Sequence, residues 1–307
     1  MPTFFLFLIH FSFIYYNYKY INILKILYFF LHFVFLFYIL VPSSFSRGIN
    51  LIIAIANQKG GVGKTTTALN ISSAFALIGK RTLLIDTDPQ AHSTISSVKQ
   101  IENLEKSLYD VLIDNNVKIN EVIVNSTIPG LDIAVSKISM AKLEPSLLGE
   151  IDGHFRLKDN IEMIKDNYEY IIIDTPPTLG LITLNALVAA THILIPIQSS
   201  YLCLEGTDDL IETIEKVRRI ANPNLRIIGV MITLHDRRTN ISKDAAQRIK
   251  KVFGKKLFST VISKSVKLEE SPAYKESIFT YAPRSTGAFQ YKKVVEEIIR
   301  RGKIKDS

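Results

Sequence analysis

The chain has 307 residues, 47% of them hydrophobic, with 37 lysines and arginines against 29 acidic residues and a formal net charge of +8. Its one cysteine, Cys203, excludes an internal disulfide framework and fits a reducing cytoplasm. Residues 1–48 hold Lys19, Lys25 and Arg47 and no acid, which leaves 34 basic and 29 acidic residues beyond them, a balance that suits a polyanionic partner without demanding one.

The first 48 residues are mostly Phe, Tyr, Ile and Leu. Two apolar runs, 4–16 and 26–41, are split by Asn17, Lys19, Asn22 and Lys25. Each falls short of the roughly 20 residues that span a bilayer, although the merged pair reaches that length. One reading is a membrane anchor or uncleaved signal. The other, which we favour, is translated upstream sequence from a mis-assigned start, because these residue types are those of AT-rich DNA. No methionine lies between Met1 and Met140, so a start near Gly48 requires an alternative initiation codon. No linker rich in Pro, Gly or Ser divides the remainder of the chain. Residues 49–302 are expected to form one domain with a substantial core, ending in a short tail, 303–307.

The apolar run 51–56 leads into Asn57-Gln58-Lys59-Gly60-Gly61-Val62-Gly63-Lys64-Thr65-Thr66-Thr67, and a helical pattern continues to Ile78. Strand, glycine-rich turn and helix form the context of a phosphate-binding loop. Backbone N–H groups of Gly60, Gly61, Val62 and Gly63 can point inward at a polyphosphate, and the helix N-terminus adds its positive dipole end. Lys64 is placed to reach β- and γ-phosphate oxygens, the Thr65 hydroxyl to ligate Mg²⁺, and Thr66 to line the same site. The common form of the motif has a glycine where Gln58 stands, and a second lysine, Lys59, opens the loop. Lys59 is either a solvated loop charge or a contact to nucleotide, its own or that of a facing subunit.

These residues resemble the deviant Walker A class of P-loop ATPases, and specifically the ParA-type (Soj-like) partition ATPases. The resemblance runs from about Asn50 to Arg301, and members of the class usually begin near Gly48–Leu51. It implies ATP and Mg²⁺ as cofactors and an ATP-dependent homodimer bridged through Lys59. It also implies non-specific DNA binding, a ParB-type partner that stimulates hydrolysis, and a cytoplasmic, nucleoid-associated location. A single cysteine departs from the iron–sulfur relatives of the class, which need paired cysteines.

Residues 81–86 read as a short buried strand that delivers Asp86-Thr87-Asp88-Pro89-Gln90. The resemblance implies that Asp88 orients the attacking water and that Asp86 supports the loop and the magnesium shell; otherwise both only cap the next helix. Pro89-Gln90 departs from the MinD-type continuation and favours the partition branch. Next come a helix over 107–114, a strand over 131–135, a helix over 138–149 and another over 154–168, with Leu157, Ile161 and Ile164 on one face. His92 and His154 have no second ligand at a useful spacing and read as structural or exposed. Tyr170-Ile171-Ile172-Ile173-Asp174 is a buried parallel strand ending in the Walker B aspartate, which holds Mg²⁺ through water or accepts from Thr65. Pro176-Pro177 ends it.

A strand over 192–197 precedes the loop 198–206. There Ser200 stands where the class commonly has glutamate, Cys203 replaces alanine, and Glu205-Gly206 is kept. A strand over 225–233 runs into His235-Asp236-Arg237-Arg238-Thr239-Asn240, with Thr239 or Asn240 capping a helix to Phe253. By resemblance Arg238 belongs to a DNA-contacting surface, which Lys243, Arg248, Lys250, Lys251, Lys255 and Lys256 extend. The segment 260–268 matches one usually written with Pro-Arg-Asn and a later Arg. Here Ser263, Lys264, Ser265 and Lys267 stand in, so charge survives at Lys264 and Lys267 while the bidentate arginine geometry is lost. The Ser263 and Ser265 changes bear on the adenine pocket. No aromatic residues interleave with these cations in the manner of a base-stacking platform, which points to phosphate contact without sequence readout. The last helix, 288–301, carries Tyr291, Val294, Val295, Ile298 and Ile299 as one stripe, read as packing against the sheet.

The expected fold is therefore α/β: a doubly wound, mostly parallel sheet with helices on both faces, a P-loop NTPase. Three other readings stand beside the partition ATPase. A MinD-like membrane-surface ATPase would use the final helix on lipid. A membrane-anchored tyrosine autokinase lacks its C-terminal tyrosine cluster here, and an ATP-gated scaffold would make hydrolysis incidental.

Overall fold

The structure, a computed structural model, describes residues 51–303. The expectations for residues 1–48 and for the last four residues lie outside the described residues. Seven strands form one sheet in the order β3-β4-β2-β5-β1-β6-β7. They are β1 (Leu51–Ile55), β2 (Thr82–Asp86), β3 (Ile123–Asn125), β4 (Leu131–Ala134), β5 (Tyr170–Asp174), β6 (His192–Gln198) and β7 (Arg226–Thr233). All neighbours pair in parallel except β3 with β4. Every residue of β1, β2 and β5 is buried. Successive side chains point to opposite faces of a strand, so both faces of the sheet centre are covered. The expected architecture is the observed one.

The longer helices are α1 (Lys64–Leu77), α2 (Arg156–Glu162), α3 (Leu181–Ala189), α4 (Thr207–Ile220), α5 (Asn240–Phe253) and α6 (Thr286–Gly302). Helix α1 is buried continuously from Thr67 to Ala76, and its small residues, Ala68, Ser72, Ser73 and Ala74 among them, let its backbone lie close to the sheet. Phe75 stacks on Tyr170 of β5 at 3.7 Å between ring centroids. Helix α6 packs on α1 and β7 with Tyr291, Val294, Val295 and Ile298 buried, and the Tyr291 hydroxyl lies 3.3 Å from Thr67 Oγ1. The apolar stripe that a membrane-binding helix would need is thus spent on the core. Among the described residues no helix is long and apolar enough to cross a membrane.

Two expected elements are differently divided, and one strand was not expected. The segment expected as one helix over 138–149 is a 3₁₀ turn, Ile138–Lys142, running into a single α-helical turn, Leu143–Ser146, and Gly149 leaves it in a left-handed conformation. Only Met140, Leu143 and Leu147 are buried there, too little apolar surface to hold a long helix. The helix expected over 154–168 is α2 followed by a 3₁₀ turn, Lys165–Asn167, because the chain must extend at Tyr168 to enter β5. Its expected face, Leu157, Ile161 and Ile164, is buried. The antiparallel edge strand β3, with three residues, is too short to leave a periodic signal.

Candidate functional site

Parallel registration brings the key acids together. Asp86 ends β2, Asp174 ends β5, and the two are direct cross-strand partners; Asp174 also pairs with Ile55, the last residue of β1. The chain leaving β1 turns over these carboxyl ends as the loop 57–63. Gly61 (φ 72°) and Gly63 (φ 81°) occupy left-handed backbone, which only glycine adopts without strain. Thr233, the last residue of β7, donates its hydroxyl to the Val62 carbonyl at 2.8 Å and fixes the loop from the far side. Helix α1 then starts with no acidic residue in its first turn and no side-chain cap, so its first N–H groups face the loop's concavity.

The side chains around this cradle are charged and nearly dry. Lys64 is 7% exposed and its ammonium donates to the Lys59 carbonyl at 3.1 Å. Burial lowers its pKa, while the carboxylates of Asp174 and Asp88 pull it back up. Asp86 and Asp174 are fully buried. Burial, and then the charge of Asp174, push Asp86 up to about 8, against the donors of Thr94 and Asp88 that favour its charged form. Burial pushes Asp174 up to about 6, against the Ser93 hydrogen bond and the nearby Thr65 hydroxyl, which favour its charged form. Two carboxylates side by side in a dry site cannot both ionise cheaply.

Their hydrogen bonds separate their roles. Asp86 Oδ2 accepts from Thr94 N at 2.8 Å and Thr94 Oγ1 at 2.7 Å, and Oδ1 accepts from Asp88 N at 3.2 Å. Both its oxygens are thus occupied by the protein. Asp174 Oδ2 accepts from Ser93 Oγ at 2.8 Å, but its Oδ1 is buried with no hydrogen-bond partner. An orphaned carboxylate oxygen beside the Thr65 hydroxyl fits a hard cation bound directly or through water. Among the described residues no group of three or more His, Cys, Asp or Glu is disposed to hold a metal by itself. Asp88 is held by its own loop and by the chain after β4: Oδ1 accepts from Gln90 N at 2.8 Å, and its carbonyl accepts from Ser136 Oγ at 2.8 Å.

Lys59 does not hang in solvent. Its ammonium donates to the Leu202 carbonyl at 3.1 Å, and neighbouring Gln58 donates to Asp209 Oδ2 at 3.1 Å. The loop start is therefore clasped by the β6–α4 segment. Gly206 (φ 72°) makes the clasp possible, since a Cβ there would sit 1.8 Å from Gln58 Nε2. Asn57, at the start of the motif, bonds the Pro196 carbonyl, while the supports Ser93, Thr94, Ser136 and Thr233 carry no motif of their own. The run of hydroxyl residues just after Asp88 holds Ser93 and Thr94, and no signal marks Ser136 or Thr233.

A second cluster lies beyond β7. His235 N donates to the Ile262 carbonyl and Lys264 N to the His235 carbonyl, at 3.0 and 3.1 Å, which zips two loops into one body. Between them is a cleft of about 410 Å³ lined by Arg237, Arg238, Ser263 and Lys264. Arg238, its side chain 87% exposed, clamps Asp236 through both carboxylate oxygens and holds that carboxyl well below the usual range. Lys267 pairs with Glu270 at 3.0 Å. Thr239, not Asn240, caps α5. Ser263 N donates to Gln290 Oε1 at 3.0 Å, a bond that a proline at this position could not make.

The basic stretch is not one surface. Lys255 and Lys256 line a different cleft, with Arg226 and Arg300, beside the first residues of β6 and β7. Helix α5, 14 residues and so about 21 Å long, carries the chain from one end of the sheet to the other. The expected continuation of the Arg238 surface through Lys255 and Lys256 is corrected accordingly.

A family model described as an AAA domain (AAA_31) matches residues 50–227. The chain is 42% identical over 251 residues to the sporulation initiation inhibitor protein Soj of Bacillus subtilis, spanning 82% of this chain and 99% of that protein. It is 38% identical over 252 residues to the chromosome partitioning protein ParA of Caulobacter vibrioides, spanning 81% and 94%. A solved structure of cobyrinic acid a,c-diamide synthase from Mycobacterium smegmatis, with bound ATP analogue and magnesium, is similar with a TM-score of 0.73 at 30% identity, over 82% of this chain and 95% of that one.

Proposed function

The chain belongs to the AAA_31 family of AAA domains and, with its Soj and ParA relatives, is a partition-type P-loop ATPase; from that premise we propose that it is an ATP-switched DNA-partitioning protein, its ATPase domain spanning residues 49–302. The observation that carries this reading is the convergence of buried Lys64, Asp88 and Asp174 on an open helix N-terminus at the carboxyl ends of β1, β2 and β5.

In this reading the N–H groups of Gly60–Gly63 and of Lys64, Thr65 and Thr66 hold the phosphates of ATP, and Lys64 neutralises charge on the β- and γ-oxygens. Thr65 and Asp174 hold Mg²⁺, whose chemistry when bound is to neutralise and orient the phosphate oxygens. Asp86 supports that shell from behind, its oxygens tied to Thr94 and Asp88. Asp88, fixed by Gln90 and Ser136, orients the attacking water. Lys59 exchanges its bond to the Leu202 carbonyl for the nucleotide of a facing protomer, which makes dimerisation ATP-dependent. The dimer presents Arg238, Lys264 and Lys267 to duplex phosphates without reading sequence. A ParB-type partner stimulates hydrolysis and release, and the protein works in the cytoplasm on the nucleoid. Burial of the α6 stripe weighs against the membrane-surface alternative.

The test is co-sedimentation with non-specific duplex DNA and, separately, with anionic vesicles, each with ATP, ADP or no nucleotide across a salt series. Expected is DNA binding with ATP alone that weakens steeply with salt and disappears in Lys64→Ala. ATP-dependent DNA binding that survives Lys64→Ala, or binding to vesicles but not DNA, would overturn the reading.

A further inference from the structure

Away from the nucleotide cradle, folding assembles a group that is scattered along the chain. Tyr274 closes a 3₁₀ turn, Ser271–Tyr274, and Tyr281 closes a short helix, Ile278–Tyr281. Their rings stack at 5.1 Å between centroids with 22° between planes. The ammonium of Lys267 stands 5.5 Å from the centre of the Tyr281 ring. Glu270 Oε2 accepts from both the Tyr281 hydroxyl, at 2.8 Å, and Lys267 Nζ, at 3.0 Å, so one carboxylate fixes ring and cation together. Tyr274 is 64% exposed although one ring face is covered by Tyr281, which leaves its other face open to solvent.

The platform is also rigidly mounted. Lys275, in left-handed backbone between the two tyrosines, donates its ammonium to the carbonyls of Val98 and Lys99 at 2.7 and 2.9 Å. Its own carbonyl accepts from Thr127 Oγ1 at 2.6 Å, and Ile278 N donates to Asn70 Oδ1 of α1 at 2.9 Å. An exposed aromatic face held without conformational freedom loses little entropy on meeting a flat partner. A stack of this kind gives no grip on a base pair, whose faces are already covered by its neighbours in the duplex, but it matches the open π-face of an unpaired base.

We infer that Tyr274, backed by Tyr281 and Lys267, is a stacking site for an unpaired nucleobase and gives this protein affinity for single-stranded nucleic acid. The inference shares Lys267 with the duplex-phosphate reading but does not rest on it. Its electrostatics are also different. Lys267 is neutralised by Glu270, and Glu269 and Glu276 lie on the same segment, so the energy must come from stacking rather than counterion release. Its dependence on salt is therefore shallower than that of the Arg238–Lys264 cleft.

The test is the affinity of the full chain for a labelled short oligothymidylate, for an abasic oligonucleotide of the same length, and for duplex DNA, by fluorescence anisotropy across a salt series. Removing the bases, or changing Tyr274→Ala, is expected to weaken single-strand binding by about tenfold, the worth of one stacked base. Tyr274→Phe keeps the π-face and should bind as the parent does, with ATP turnover unchanged in both variants. Duplex binding should be indifferent to Tyr274→Ala and sensitive to Arg238→Ala. Equal binding of the base-containing and abasic strands, or a Tyr274→Ala variant that folds and binds like the parent, would overturn the inference. Loss of duplex binding with the base-dependent component intact would sink the duplex reading and leave this one standing.

Discussion

The carboxyl ends of β1, β2 and β5 and the rim beyond β7 both concentrate charge, yet they hold it in opposite ways. At the strand ends Lys64, Asp86 and Asp174 are buried, and each charge is restrained by a donor or acceptor of the surrounding loops: Lys64 by the Lys59 carbonyl, Asp86 by Thr94 and Asp174 by Ser93. At the rim Arg238, Lys264 and Lys267 are exposed; Arg238 and Lys267 are answered by neighbours two and three residues away, Asp236 and Glu270. A buried charge is expensive and persists only where the fold supports it, whereas an exposed pair contributes little and can be exchanged for a ligand's phosphate. In the proposed function the first region therefore serves the chemistry, and the second reversible contact with duplex phosphates.

The largest expected effect lies in the buried region. Asp88→Ala should lower ATP turnover by about 100-fold or more while nucleotide affinity changes little, since the role proposed for Asp88 is to orient water and not to hold the phosphates. Steady-state turnover beside equilibrium nucleotide binding checks it; a parallel loss of both would make Asp88 part of the binding site instead.

The paired acids offer the next contrast. Their pKa values are raised in the folded chain, so between about pH 4 and pH 8 the native state holds protons that the unfolded state has released. Stability then falls as pH rises through that window. Asp86→Asn, which keeps an acceptor for Thr94, should flatten the fall and recover about 2 kcal/mol near pH 8 in the absence of nucleotide. Denaturant midpoints at several pH values decide it, and an unchanged slope would mean that the pair is not the source.

Gly206→Ala probes the clasp on the loop. The left-handed backbone and the displaced Gln58 should together cost about 1–2 kcal/mol, read as a lower thermal midpoint without nucleotide. No loss would mean that the Gln58–Asp209 bond contributes nothing.

The smallest structural effect belongs to the rim. Arg238→Ala should leave stability within about 0.5 kcal/mol, yet it should weaken duplex binding and reduce the slope of log affinity against log salt by about 1. A stability loss comparable to that of Gly206→Ala would erase the distinction between the two regions.

The uneven legibility of the sequence has its origin in the same contrast. The glycine-rich loop, Asp88 and Asp174 are readable because strand-end chemistry is local: a buried apolar run delivers one residue to one place. Ser93, Thr94, Ser136 and Thr233 were not, because each supports the site from a separate position through a single hydroxyl. The edge strand β3 and the break in the segment 138–149 escaped because weak apolar surface leaves no period to count, and the end of α2 escaped because it is set by the entry of the chain into β5. Basic residues 243–256 look like one stripe along the chain, but α5 carries Lys255 and Lys256 to a different cleft. Conversely, the spacing of aromatic residues among the cations shows no base-stacking platform, while folding stacks Tyr274 on Tyr281 beside Lys267.

By itself, then, the order of residues determined the parallel sheet, the phosphate loop and the acids that face it, since hydrophobic period and glycine placement act over a few residues at a time. Only the tertiary structure decided which of two neighbouring carboxylates keeps an oxygen free, where Lys59 is held, which cations share a surface and which rings meet. Those are outcomes of strand register and loop docking, set by contacts between segments far apart in the chain, where spacing along the sequence carries no information about spacing in the fold.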